Sequence, residues 1–223
     1  MCEGLELIKM VTALSSTAGK AIDFASVSGI PESIKNALGI LDDKISEMKL
    51  NNQINFLIRV KKKLDDIGYP YILKPIELKL TAHLLEATSL ETNDFLQEMW
   101  VNLLINSSIE ETGIYLNRTF MDILERLSPL EAKILIKIYE LPFEETENRG
   151  VLTIGLPEKV TIVEDNYKRD DRLENEPIKL ALSNLLRLGC ISQRDLFAPD
   201  EIFEIVKPTL LGKRFVESCT LDL

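Results

Sequence analysis

The apolar positions fall into helical runs almost from the first residue. Leu7, Val11, Leu14, Ala18, Ile22 and Ala25 recur at three- and four-residue steps, the spacing that lines one face of an α-helix. The stretch "SVSG" ends that run. Pro31 suits a helix start, and Ile34, Leu38, Leu41, Ile45 and Met48 predict a second helix with one apolar side. A third is predicted over "NQINFLIRVKKKLDDIG", where Ile54, Leu57, Ile58, Lys61, Leu64 and Ile67 share a side and Gly68 supplies a left-handed cap. The two prolines of "YPYILKP" force an extended connection. A helical hairpin follows, with Leu78, Leu80, Ala82, Leu84 and Leu85 in its first arm. Thr92 or Asn93 caps its second arm, whose stripe is Leu96, Met99, Trp100, Leu103 and Leu104. A short helix through Phe120, Ile123, Leu124 and Leu127 closes the first half.

The second half opens on the sharpest local signal in the chain. In "LSPLEAKILIKIYELP", Ser128 at the N-cap, Pro129 at the first helical position and Glu131 three residues on form a capping box. Leu130, Ile134, Leu135, Ile138 and Leu141 face inward, and Pro142 stops the helix. From 142 to 177 the chain turns polar and charge-dense, which predicts a long surface insertion with a strand pair in "VLTIGLPEKVTIV". Ile178, Leu182, Leu185 and Leu186 mark another helix ending at Gly189. "CIS" and "IFEIV" then predict two short strands, and Thr209 caps a final helix in "PTLLGKRFVESC". The fold class expected is mainly α: an N-terminal helical bundle over 1–126, then a winged-helix-like domain with a short β-wing over 127–223. One of the three helices of a winged helix is not visible in the pattern, and falls in the insertion or is lost.

Composition narrows the function more than the fold. With 223 residues, 45% of them hydrophobic and 28% charged, the chain has the make-up of a soluble globular protein. No apolar run approaches the roughly 20 residues of a spanning helix. The N-terminus carries Glu3 and Glu6 where a signal peptide carries basic residues, so a cytoplasmic location is expected. A net charge of -10 opposes extensive binding to phosphate backbones. Cys2, Cys190 and Cys219 are widely spaced and His83 is the single histidine, so neither a zinc site nor a disulfide framework follows, and no cofactor is implied. His83 has no evident second ligand and reads as a packed histidine. Glu91 with Asp94, or Asp65 with Asp66, suit acid–base work or magnesium, but acids at helix starts are favoured by the dipole alone. Arg59, Lys61, Lys62 and Lys63 form a basic run whose field Asp65 and Asp66 offset, as on a solvated helix face. No phosphate-binding glycine loop or deaminase motif occurs.

The order of several segments has a known counterpart. "LKPIELKLTAHLLEATSLETNDFLQEMWVNLLINSS", then "FMDILERLSPLEAKIL", "LSNLLRLGCIS" and "PTLLGKRFVESC" resemble the bacterial Abi-alpha family, named for abortive infection. The likeness is strongest over about 50–140, in the "SLE" step, the "WxNLL" helix and the "LSPLEAKIL" helix. It implies a part in bacterial defence against bacteriophage, often carried on mobile elements, with no established catalytic activity and no catalytic residue to transfer. Val101 stands where a small residue is more usual in the family, and the 142–177 insertion has no counterpart there.

These observations leave three readings. The first is an antiphage protein that acts through protein contacts, including self-association into a homo-oligomer, without a catalytic centre. The second is a winged-helix DNA-binding regulator: Lys179, Ser183 and Arg187 line the outward face of one helix, and Arg194 in the wing loop with Lys213 and Arg214 would add backbone contacts. The third is a metal-dependent hydrolase toxin. Trp100 is expected to anchor the core and, with Asn102, to serve as the family signature. Asn106, four residues on, makes a polar pair with Asn102.

Overall fold

The computed structural model describes residues 32–68, 74–164, 167, 175–193 and 203–221. The expected helix over 7–25, most of the "YPYILKP" connection and the loop residue Arg194 lie outside those residues. Helix α1 runs over Glu32–Ile67, so the second and third predicted helices are one. The polar "NN" between them interrupts the apolar pattern, but nothing there breaks backbone hydrogen bonding as Pro would. Asn52 instead donates to the carbonyls of Ser89 at 2.9 Å and Glu91 at 3.3 Å, and Gln53 to Leu85 at 3.3 Å. The interruption is therefore an inter-helix tie. Phe56 and Val60 bury fully on α1, with Leu57, Leu64 and Ile67 packed half-buried beside them. Ile54 and Ile58, expected in that same stripe, instead face outward.

Helices α2 (Leu78–Leu90) and α3 (Asp94–Ser108) form the predicted hairpin. Asn93 is the cap, its side-chain oxygen accepting the amides of Phe95 at 3.1 Å and Leu96 at 3.2 Å. Leu96, Met99, Trp100, Val101, Leu103 and Ile105 are all buried, which wraps apolar contact around most of α3. Such a helix lies inside its bundle rather than on it. Two ion pairs on the hairpin's flank, Arg59 with Asp94 and Lys63 with Glu98, tie α1 to α3. The basic run on α1 is thus partly matched by acids of a neighbouring helix.

Helix α4 (Arg118–Leu124) leads into α5 (Pro129–Tyr139). At the start of α5 Ser128 accepts the Glu131 amide at 3.3 Å while Glu131 accepts the Ser128 amide at 2.5 Å, completing the predicted box. The insertion holds a helix that the pattern did not place, α6 (Phe143–Arg149), and the predicted strand pair, β1 (Val151–Leu152) and β2 (Thr161–Ile162). Then come α7 (Glu176–Arg187), β3 (Ile191–Gln193), β4 (Ile205–Pro208) and α8 (Leu210–Cys219). All strand pairings are antiparallel in the order β2-β1-β4-β3. Buried side chains from both halves form one continuous cluster, from Phe56 on α1 to Cys219 on α8. No helix among the described residues is long and apolar enough to cross a membrane.

Candidate functional site

Trp100 is 1% exposed. Its ring is packed in the core with Met99 and Leu103 and presents no face to a ligand. Asn102 and Asn106 are buried on the same helix and reach across the molecule. The Asn102 amide donates to the Cys219 carbonyl at 2.9 Å. That of Asn106 donates to Ser218 at 3.0 Å and Thr220 at 2.6 Å, with Glu217 at 3.3 Å. The last carbonyls of a helix have no partner within it, so the two asparagines of α3 cap α8 from outside. What the sequence offers as a polar pair is a clamp between the halves of the chain.

A second node joins α5 to the strands. The Tyr139 hydroxyl lies 2.6 Å from the Cys190 carbonyl and 3.0 Å from that of Thr209, and accepts the Thr209 amide at 2.8 Å. Burial pushes this phenol up to about 12. Cys190 and Cys219 are likewise buried, and desolvation raises each thiol to about 12. Neither is a poised nucleophile, since the thiolate is the reactive form.

The residues considered for nucleic acid are scattered in their circumstances. Lys179 and Arg187 are exposed on α7 and Ser183 is half-buried. Ile178, Ala181, Leu182 and Leu185 fill the opposite side. Arg187 donates to Asn184 Oδ1 at 3.1 and 2.6 Å, while the Asn184 amide reaches Glu131 at 2.7 Å. Leu180, 65% exposed, and Glu176 sit on the outward side with Lys179 and Arg187. On α8, Lys213 pairs with Glu144 at 3.1 Å and lies over the Phe143 ring, and Arg214 pairs with Glu217 at 2.8 Å. The Glu144 carboxyl sits below its usual range because its own backbone amide, then Lys213, donates to it. Much of this positive charge is therefore answered by the protein's own groups.

One cluster was not visible from sequence. His83 on α2, Asp122 on α4 and Glu125 at the end of α4 bring one ligand atom each to within 4.8 Å of one another. His83 Nε2 lies 3.4 Å from Glu125 Oε1. The two acids share a helix face at three-residue spacing, but the histidine comes to them only through the packing of α2 against α4. The i, i+3 acids were the only local signal.

Comparison with known proteins places these features. The family model described as abortive infection alpha matches residues 49–219, a span holding Trp100, the asparagine clamp, the capping box and α8. The chain is also similar to the septation ring formation regulator EzrA of two Staphylococcus epidermidis strains. It is 26% identical over 182 residues, covering 76% of this chain and 32% of the relative. The chain thus spans about a third of the length of those relatives. No solved structure matches it.

Proposed function

The chain belongs to the abortive infection alpha family, and we propose that it works in the cytoplasm as an antiphage defence protein through protein contacts, the first of them with a second copy of itself. The observation that carries this is a seam on α1. Leu50, Ile54 and Ile58 are 45%, 44% and 59% exposed and stand four residues apart. Single exposed apolar side chains are ordinary; three in register on one helix form a stripe for another helix.

The charges beside the stripe suit a second copy. In an antiparallel pair of α1 helices centred on Ile54, Leu50 of one copy meets Ile58 of the other, and Glu47 meets Lys61. The arrangement is self-complementary about a two-fold axis. The likeness to a protein named as a regulator of septation-ring formation also supports work by assembly rather than by chemistry.

Two measurements test this reading. Expression during infection is expected to lower the phage yield per infected cell, and an unchanged yield over a broad phage panel overturns the defence role. Light scattering is expected to show a dimer, and a monomer at every concentration overturns the self-pairing.

A second reading is favoured by one observation, the run of α7, the β3–β4 hairpin and α8, which follows the order of a winged helix. It casts the protein as a DNA-binding regulator using Lys179, Ser183 and Arg187. It predicts affinity that falls steeply with salt and is lost in Lys179→Glu and Arg187→Glu. Absence of binding at low salt ends it. The ion pairs of Lys213 and Arg214, and the Glu176 and Leu180 that share the α7 face, rank it second.

A further inference from the structure

We propose that His83, Asp122 and Glu125 hold a divalent transition-metal ion, of the zinc, cobalt or manganese kind, between α2 and α4. Three features converge on it. The single imidazole in the chain and two carboxylates offer ligand atoms within 4.8 Å of one another. His83 Nε2 is buried and makes no hydrogen bond to any protein group, although Glu125 Oε1 stands 3.4 Å away. A buried nitrogen of this kind costs stability unless something satisfies it. Glu125 also stands at the C-terminal end of α4, where the backbone carbonyls disfavour a carboxylate and favour a cation.

The donor set selects the ion. One imidazole with two carboxylates suits zinc or cobalt, or the harder manganese, rather than calcium, which takes oxygen ligands only. Ligands about 2.1 Å from a metal lie at most about 4.2 Å apart, so the donors must close slightly. Asp122 and Glu125 are exposed, and their side chains have the freedom to do so. Three protein ligands leave one or more positions for water, and the bound ion would pin α2 to α4 across the first half of the bundle. An ion pair of protonated His83 with Glu125 is the rival occupant of the same geometry.

Cobalt titration of the metal-free, untagged full chain, followed by its visible absorption and by zinc displacement, tests the site. The expected result is one saturable equivalent with a nitrogen-and-oxygen ligand spectrum, and a higher thermal midpoint with zinc. His83→Ala, and separately Asp122→Asn with Glu125→Gln, are expected to lower the affinity more than about tenfold while leaving the circular dichroism unchanged. Failure to saturate at millimolar cobalt, or unchanged affinity in His83→Ala, overturns the site and leaves the ion pair alone. A readout of binding keeps this outcome separate from the phage assays.

Discussion

Among the described glycines, Gly212 has the least room for a side chain. A Cβ there would stand 2.1 Å from the Tyr139 hydroxyl and 2.2 Å from the Cys190 carbonyl, the two groups whose hydrogen bonds join α5 to the turn before α8. Gly212→Ala must displace that node, and it is expected to cost about 1–3 kcal/mol by overpacking, read as a lower urea midpoint. Tyr139, Cys190 and Cys219 give the fold an alkaline weakness. Their folded values of about 12 lie above ordinary values of 10.0 for the phenol and 9.0 for the thiols. Their contribution is fully present below the unfolded values and is lost as pH rises from about 9 toward 12. The urea midpoint should therefore fall between about pH 8 and pH 11, and a flat profile would contradict the burial of these groups. None of this was legible in the sequence, because "YELP", "GCIS" and "TLLGK" meet only in three dimensions.

At the scale of elements, what local chemistry decides was readable and what distant partners decide was not. The capping box of α5, the Asn93 cap of α3 and the Thr209 cap of α8, which accepts the Gly212 amide at 3.0 Å, all lie within three residues of their targets. The apolar pattern predicts two helices where α1 is one, because polar Asn51, Asn52 and Gln53 interrupt it. The last two are ties whose acceptors lie on or beside α2. Asn102 and Asn106 stood out as a polar pair, but their acceptors are more than 110 residues away. Their clamp gives an element-scale prediction. Asn106→Ala leaves the terminal carbonyls of α8 short of donors and is expected to destabilise the protein by about 1–3 kcal/mol. Amide exchange in α8 should rise more than in α5, and equal rises in the two helices would show that the clamp does not act on α8.

For the whole molecule, the resemblance in "WxNLL" and "LSPLEAKIL" was the most informative thing in the sequence, and the family match over 49–219 extends it through α8. The matched span is built around a buried tryptophan and two asparagines that cap α8. Among the described residues, Leu50, Ile54 and Ile58 stand exposed four residues apart on α1. Ile54→Glu separates the proposed pairing through α1 from the proposed defence role. The residue is exposed, so the variant should fold with an unchanged thermal midpoint, yet a charge at the centre of a self-complementary stripe should abolish pairing. Plating efficiency of phage on cells carrying the wild-type chain or Ile54→Glu is the deciding measurement. Plating is expected to be reduced by the wild-type chain and restored to that of unprotected cells by the folded, monomeric variant. A folded, monomeric variant that protects as well as the wild-type chain would overturn defence through pairing.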